Sequence, residues 1–148
     1  MKENLYKQLC IDEGVVYEIY LDHLGYPTFG IGHLITQEDE EYGLPVGTPV
    51  SEERVKEVFE KDLETSISEC IKLYGNKFLL WPQEVQEVLV NMMFNLGRPR
   101  LKKFKNFRKA LDNKDWKQAA KEGRDSIWWR VQVRNRAERL MSRLENVS

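Results

Sequence analysis

The sequence predicts an α+β fold, in which a small N-terminal lobe with a β-hairpin joins a larger all-helical lobe through one long helix. Residues 16–21 (VYEIYL) and 26–31 (YPTFGI) are rich in aromatic and β-branched side chains, and the turn-forming DHLG stands between them. This pattern is typical of a hairpin. From residue 51 to the end of the chain, apolar residues recur instead at helical spacing. A chain of 148 residues is the size of one domain.

The N-terminal lobe begins with a predicted helix over residues 3–13. Leu5 and Leu9 are one helical turn apart, and Gly14 is a residue type that commonly ends a helix. The hairpin follows directly. We expect the hairpin lobe to span residues 12–50.

A long amphipathic helix is predicted over residues 51–74. Ser51 is a good N-cap, two acidic residues follow it, and Gly75 marks the end of the helix. Between these limits every fourth residue is apolar: Val55, Phe59, Leu63, Ile67 and Ile71. We expect this helix to connect the two lobes.

Residues 75–148 read as further helices, which form the larger lobe together with the N-terminal helix. Pro82 and Gly97 bound a segment that is apolar on most sides and should be the buried axis of this lobe. Shorter helices are predicted over residues 100–111, 114–122, 126–132 and 135–145. The chain, residues 1–148, is thus expected to be one domain, with a binding site in a cleft between its lobes.

Charge is divided unevenly along the chain, although the formal net charge is only −1. Residues 1–97 hold 7 lysines and arginines against 18 acidic residues, whereas residues 98–148 hold 16 against 6. Such a basic block indicates contact with an anionic partner, or else it only solvates exposed helix faces. The sequence leaves both interpretations open.

Composition also narrows the class of protein. No run of about 18 apolar residues exists, so we expect no membrane insertion. The first fifteen residues lack a secretory leader, and we expect the product to accumulate in the cytoplasm. Cys10 and Cys70 lack metal-ligand or redox spacing and read as free thiols. His23 and His33 have no cysteine or acidic cluster to complete a metal site, so neither a metal nor a cofactor is expected.

Two carboxylates and a hydroxyl stand close together in the first thirty residues. Glu13 lies at a helix C-terminus, where the negative end of the helix dipole should raise its pKa. Asp22 lies at a wetter hairpin tip and should stay ionised, and Thr28 on the return strand could hold a water beside it. Glycoside hydrolysis needs two carboxyl groups in such opposite protonation states. The alternative is a capping-region glutamate and an Asx-turn aspartate with no catalytic role.

These residues carry a family resemblance. IDEG, IYLD and GYPTFGIGH resemble the N-terminal signature of bacteriophage-type lysozymes, the muramidase family that includes the T-even phage enzymes. Weaker similarity continues through FEKDL (59–63), NMMFNLG (91–97) and NRAERL (135–140). The resemblance implies a lysozyme-like fold, with Glu13 as general acid, Asp22 as second carboxylate and Thr28 as positioner of the attacking water.

The resemblance implies supporting ion pairs as well. Asp62 falls within the apolar arc of the long helix, where a charge needs a partner. The family pairs such an aspartate with the histidine that ends the GIGH run, which is His33. Arg136 is implied to reach Glu13 across the cleft, although it also fits a solvated helix face.

Substrate contacts are implied for three consecutive residues, Phe94, Asn95 and Leu96, which correspond to the cleft floor. Phe94 fits the core equally well. Trp128 and Trp129 suit either stacking on sugar rings or packing in the lobe. The segment 36–51 is shorter than in the longer members of the family, so the resemblance does not decide which residues contact the distal sugar units.

The expected function is that of an endolysin, a monomer that hydrolyses the β-1,4 bond between N-acetylmuramic acid and N-acetylglucosamine with inversion. It would accumulate in the host cytoplasm and reach the peptidoglycan of the periplasm with the help of a holin. No binding of nucleic acid is expected. The alternatives are a lytic transglycosylase, which needs one acid and no water, and a non-catalytic module that binds cell wall or nucleic acid through the basic third of the chain.

Overall fold

The computed structural model describes residues 1–126 and 134–147, and it confirms the predicted α+β class. Its Cα positions divide into two compact units. The N-terminal unit is Lys2–Glu64, and the C-terminal unit runs from Thr65 to the end of the chain together with Met1. Helices and the small sheet share the first unit, whereas the second is helical in its described part.

The N-terminal unit opens with helix α1, Lys2–Glu13. Leu5 and Leu9 are fully buried, as their spacing predicts. Gly14 ends the helix with a positive φ of 75°, and its N–H donates to the Cys10 carbonyl at 2.9 Å. A glycine tolerates this left-handed conformation because it has no Cβ.

An antiparallel sheet of three strands follows. Its members are β1 (Val16–Leu21), β2 (Pro27–Gly30) and β3 (His33–Leu34), in that order across the sheet. The predicted hairpin is β1 and β2, with Tyr20 opposite Thr28. The third strand was not predicted, because its pairing depends on a tight turn at glycines rather than on an alternating pattern of its own.

Helix α1 belongs to the same unit as the sheet, whereas the sequence predicts it in the helical lobe. The Tyr6 ring meets the Phe59 ring edge to face, with centroids 5.2 Å apart. Phe59 lies in the first half of helix α2, Glu52–Tyr74. This ring contact joins α1 to α2 within the N-terminal unit.

Helix α2 matches its predicted limits. The Ser51 hydroxyl accepts a hydrogen bond from the Arg54 N–H at 3.1 Å, which is the predicted N-cap contact. The division between the two units falls within this helix, after Glu64.

Helices make up the described part of the C-terminal unit. A short 3₁₀ helix, Asn76–Leu80, precedes α3, Gln83–Leu96. Pro82 and Gly97 cap α3 as predicted, and Val88, Leu89 and Met92 on it are fully buried. The remaining helices are α4 (Arg98–Leu101), α5 (Lys105–Asp112), α6 (Trp116–Arg124) and α7 (Arg134–Glu145).

The predicted single helix over residues 100–111 is wrong, because α4 and α5 are separated by a turn at residues 102–104. Leu101 and Phe107 are both buried. On one continuous helix, at about 100° per residue, two positions six apart would point roughly 120° away from each other. The break lets both side chains reach the core. The helix predicted over 126–132 lies almost wholly outside the described residues.

Candidate active site

Glu13 is the last residue of α1 and is half-buried. Its carboxylate lies against Gly32, in the turn between β2 and β3. A Cβ built on Gly32 would stand 2.8 Å from Glu13 Oε2, closer than van der Waals contact allows, and Gly32 has a φ of 65°. The glycine therefore makes the turn and leaves the space that the carboxylate occupies.

Asp22 forms an Asx turn, the structural role that its place at the hairpin tip also predicts. Its Oδ1 accepts hydrogen bonds from the N–H groups of Leu24 and Tyr26, both at 2.9 Å. Its own N–H donates to the Tyr26 carbonyl at 2.9 Å. One carboxylate oxygen thus orients the side chain. The turn makes no use of Oδ2.

Thr28 is held by the same peptide as Asp22. Its hydroxyl donates to the Tyr26 carbonyl at 2.9 Å, and the residue is 2% exposed. Since a hydroxyl has one proton and two lone pairs, the remaining capacity of Thr28 is to accept. A water at Thr28 would have to donate a hydrogen bond to it. Tyr26 therefore fixes Asp22 and Thr28 with respect to each other through its backbone.

Tyr20 lies near enough to both acids to feel their charges, although the sequence pattern did not single it out. Burial, followed by the negative charges of Glu13 and Asp22, raises the pKa of the Tyr20 phenol. Both carboxylates therefore act on one hydroxyl, which stays protonated at neutral pH. Tyr20 lies on β1 and stands opposite Thr28 on β2, so its place in the predicted hairpin was the signal in the sequence.

His33 and Asp62 are in contact, as the resemblance implied. His33 Nδ1 lies 2.7 Å from Asp62 Oδ2, and His33 Nε2 lies 2.8 Å from Asp39 Oδ2. The second partner was not predicted. Because ionised carboxylates only accept hydrogen bonds, a protonated imidazole satisfies both contacts.

The pKa values of this group move in opposite directions. Burial by itself would lower the pKa of His33, but hydrogen bonds to Asp62 and Asp39 and their negative charges raise it above the usual histidine value. Burial would raise the pKa of Asp39, but the Thr36 N–H, His33 and the nearby Arg54 lower it. The folded state therefore favours the charged forms of His33 and Asp39.

Arg54 extends this network along α2. It holds the buried Glu41 with two hydrogen bonds of 2.7 and 2.9 Å, and it reaches Glu57 at 2.8 Å. The segment that contains Asp39 and Glu41 is thereby tied to the helix that carries Asp62.

The predicted site residues of the C-terminal unit lie on two helices. Phe94 and Asn95 are half-buried and Leu96 is buried in the last turn of α3. Arg136 on α7 is 7% exposed, and its Nε donates to Asn91 Oδ1 at 2.9 Å. The pairing of Arg136 with Glu13 stays a prediction. Trp128 and Trp129 lie outside the described residues.

The described part of the chain contains no group of three or more histidine, cysteine or acidic side chains that could hold a metal ion. None of its helices is long and apolar enough to cross a membrane.

Known proteins resemble this chain over nearly its whole length. A family model described as Phage lysozyme matches residues 11–145. The chain is 33% identical over 147 residues to the pre-baseplate central spike protein Gp5 of Enterobacteria phage T4, a match that covers 87% of this chain and 25% of that protein. It is 31% identical over 163 residues to probable T4-type lysozyme 1 of Dictyostelium discoideum, and 30% identical over 167 residues to probable T4-type lysozyme 2. Each of these two matches covers 98% of this chain and 95% of the relative.

Proposed function

The chain belongs to the phage lysozyme family, and from this premise we propose that it is a muramidase, a glycoside hydrolase that cuts the glycan strands of peptidoglycan. The observation that carries the proposal is the grouping around Tyr20. Burial and the negative charges of Glu13 and Asp22 raise the pKa of its phenol, and Thr28 stands opposite it in the β1–β2 register. This hydrolysis needs two carboxyl groups and, beside them, a hydroxyl such as that of Thr28, which can accept a hydrogen bond from the attacking water.

In the proposed reaction, Glu13 protonates the glycosidic oxygen between N-acetylmuramic acid and N-acetylglucosamine as the bond to the anomeric carbon breaks. Asp22 accepts a proton from a water on the opposite face of the sugar, and Thr28 accepts the second hydrogen bond of that water. The oxygen of this water becomes the new anomeric hydroxyl, so the configuration inverts. The roles of the three residues follow the family resemblance.

The Asx turn supports this division of roles. Asp22 uses Oδ1 for the backbone of Leu24 and Tyr26, which fixes the carboxylate and leaves the water to Oδ2. A carboxylate with one oxygen anchored loses less freedom when it binds a water. Structural and catalytic roles of Asp22 are therefore compatible in one residue.

The family resemblance assigns the remaining site residues. Phe94, Asn95 and Leu96 are proposed to contact the glycan strand, and the pairing of Arg136 with Glu13 stays a prediction. His33 and Asp62 hold the β2–β3 region to α2, and Asp39 joins them.

The biological setting we propose is an endolysin that acts as a monomer, accumulates in the host cytoplasm and reaches the periplasmic cell wall through a holin, causing lysis. The chain spans 95% of each of the two lysozyme relatives and 25% of the spike protein. A second setting is a catalytic unit within a larger protein, because the match to the spike protein covers only 25% of that protein.

Product analysis tests the reaction. The protein is incubated with purified peptidoglycan, and new chain ends are identified by mass spectrometry. A muramidase leaves reducing N-acetylmuramic acid, a lytic transglycosylase leaves an anhydro sugar, and a binding module leaves no new ends. Proton NMR of the first product, before the anomers equilibrate, should show the α anomer if the reaction inverts.

Paired glutamate variants test the acid. Glu13→Gln keeps the shape of the side chain but cannot donate the proton, so turnover should fall by about 100-fold or more. Glu18→Gln, on an exposed position of β1, is the control and should retain wild-type turnover. Similar turnover in the two variants would remove Glu13 from the mechanism.

A further inference from the structure

The C-terminal unit contains an open groove of about 660 Å³ that is lined by basic residues. Its described lining consists of six cations and two apolar residues: Lys72, Leu73, Arg98, Pro99, Lys102, Lys103, Lys105 and Arg108. They come from the end of α2, from α4, from the turn after it and from α5. The groove is thus built by four segments that the fold brings together, rather than by one basic stretch.

The charge of the groove is only partly neutralised. Arg98 donates to Glu69 at 2.6 Å, and Lys72 lies 3.6 Å from the same carboxylate. No carboxylate stands among the described residues that line the groove. In the described part of the chain, one carboxylate pairs with two of the six lining cations, which leaves the groove net positive, and a concave surface concentrates the resulting potential. Packing six like charges together is unfavourable for folding, so an anionic ligand would relieve this repulsion.

The geometry points to a binding site for a linear phosphate polymer that carries no bases. Two guanidinium groups suit the paired oxygens of phosphate, and the four ammonium groups add point charges. The volume of about 660 Å³ is that of a pocket for a ligand of many atoms, so several successive phosphates fit better than a single ion. Polyphosphate and polyol phosphate chains have this chemistry.

Two other anionic classes fit less well. Single-stranded nucleic acid sites combine a basic groove with aromatic side chains that stack on bases, and none lines the described groove. A lipid bilayer is flat, and its charged surface meets projecting side chains rather than a concave lining. The apolar residues Leu73 and Pro99 suit the aliphatic links of a polyol phosphate chain.

Binding to a short fluorescent polyphosphate, followed by fluorescence anisotropy, tests this inference. The triple variant Lys102→Glu, Lys103→Glu, Lys105→Glu should bind at least about 10-fold more weakly than the wild type, since three attractive contacts become repulsive. The slope of log affinity against log salt should become shallower by roughly two, at about 0.7 per lost contact on a single strand.

The matched control reverses the same number of charges elsewhere in the unit. Lys109, Lys117 and Lys121 are exposed and are not among the described lining residues. The variant Lys109→Glu, Lys117→Glu, Lys121→Glu has the same net charge as the groove variant, and it should keep affinity within about threefold of the wild type. Equal losses in the two triple variants would overturn the groove as a site and leave only a diffuse field.

Three competing probes decide the class of ligand. Polyglutamate of equal charge, single-stranded DNA and anionic vesicles of phosphatidylglycerol should each compete at least about 10-fold less well than unlabelled polyphosphate. Preference for any of them would refute the assignment to a base-free phosphate chain. Amide shifts of the wild-type protein on adding polyphosphate should cluster at residues 98–108, which requires no variant. Binding is measured without turnover, so its failure would leave the proposed hydrolase intact.

Discussion

The contacts of His33 should make folding stability depend on pH, and Asp62→Asn tests this. His33 Nδ1 lies 2.7 Å from Asp62 Oδ2, and a hydrogen bond to a charged group contributes about 1.5–3 kcal/mol. The two side chains keep 14% and 31% of their exposure, so solvent screening reduces the net contribution to about 1–2 kcal/mol. Loss of the Asp62 charge should lower the free energy of unfolding by this amount in mildly acid solution.

The direction of the pH dependence of stability follows from the directions in which folding shifts the two pKa values. The pKa of His33 is raised on folding, so its contribution is fully present below its unfolded pKa and is lost as pH rises through the folded value. The pKa of Asp39 is lowered, so its contribution is present above its unfolded pKa and is lost as pH falls through the folded value. The network therefore stabilises most between about pH 4 and pH 6.5.

Urea unfolding at about pH 5 and about pH 9 measures the effect, provided that the m-values agree. Asp62→Asn should destabilise clearly at the lower pH and much less at the higher one. Glu64→Gln, two residues along α2 in an exposed pair with Lys2, is the control and should change stability by at most about 0.5 kcal/mol at either pH. NMR titration should show a lower His33 pKa in the Asp62 variant. Equal destabilisation at both pH values, or an unchanged histidine pKa, would refute the reasoning.

Three further substitutions, one of them with a matched control, test other parts of the structure. Asp22→Asn keeps an oxygen for the Asx turn, so it should retain the melting temperature, while turnover on peptidoglycan falls by about 100-fold or more. If the variant stayed active, Asp22 would have only its structural role in the turn. Gly32→Ala should cost about 1–2 kcal/mol for its positive φ and also lower turnover by displacing the Glu13 carboxylate. Gly43→Ala, with a φ of 83° and nothing within 4 Å, should show the strain alone, and equal turnover in both alanine variants would contradict the displacement. Tyr74→Phe removes a buried hydroxyl that has no hydrogen-bond partner in the described structure. Thermal unfolding should therefore show that the free energy of unfolding rises by up to about 1 kcal/mol. A clear fall in this free energy would mean that the hydroxyl has a partner.

The local sequence pattern was sufficient to predict the main helices and the hairpin. Helices α1, α2 and α3 begin and end within about one residue of their predicted limits. Their apolar spacing and end signals, such as Ser51 and Gly97, act within a single turn of helix. The order Glu13, Asp22 and Thr28 was likewise legible, because an acid at a helix exit and another in a turn are defined by neighbours in sequence.

Tertiary structure decided the features that join distant segments. Asp39 reaches His33 only because the segment after β3 folds back onto α2, and an exposed-looking acid in a loop carries no mark of that contact. The break at residues 102–104 depends on the position of the core that receives Leu101 and Phe107. The basic groove joins Lys72 to residues 98–108, which no spacing rule connects.

The amino-acid sequence by itself determined the α+β class, the long helix, the hairpin and the family, since each follows from residue types within a few positions of one another. The tertiary structure decided that Gly32 leaves space for the Glu13 carboxylate and that the charges of both acids raise the pKa of Tyr20. It also decided that the basic residues line a groove. The physical reason is range: periodicity and capping are properties of neighbours along the chain. Space, burial and electrostatic partners are properties of neighbours in the folded molecule.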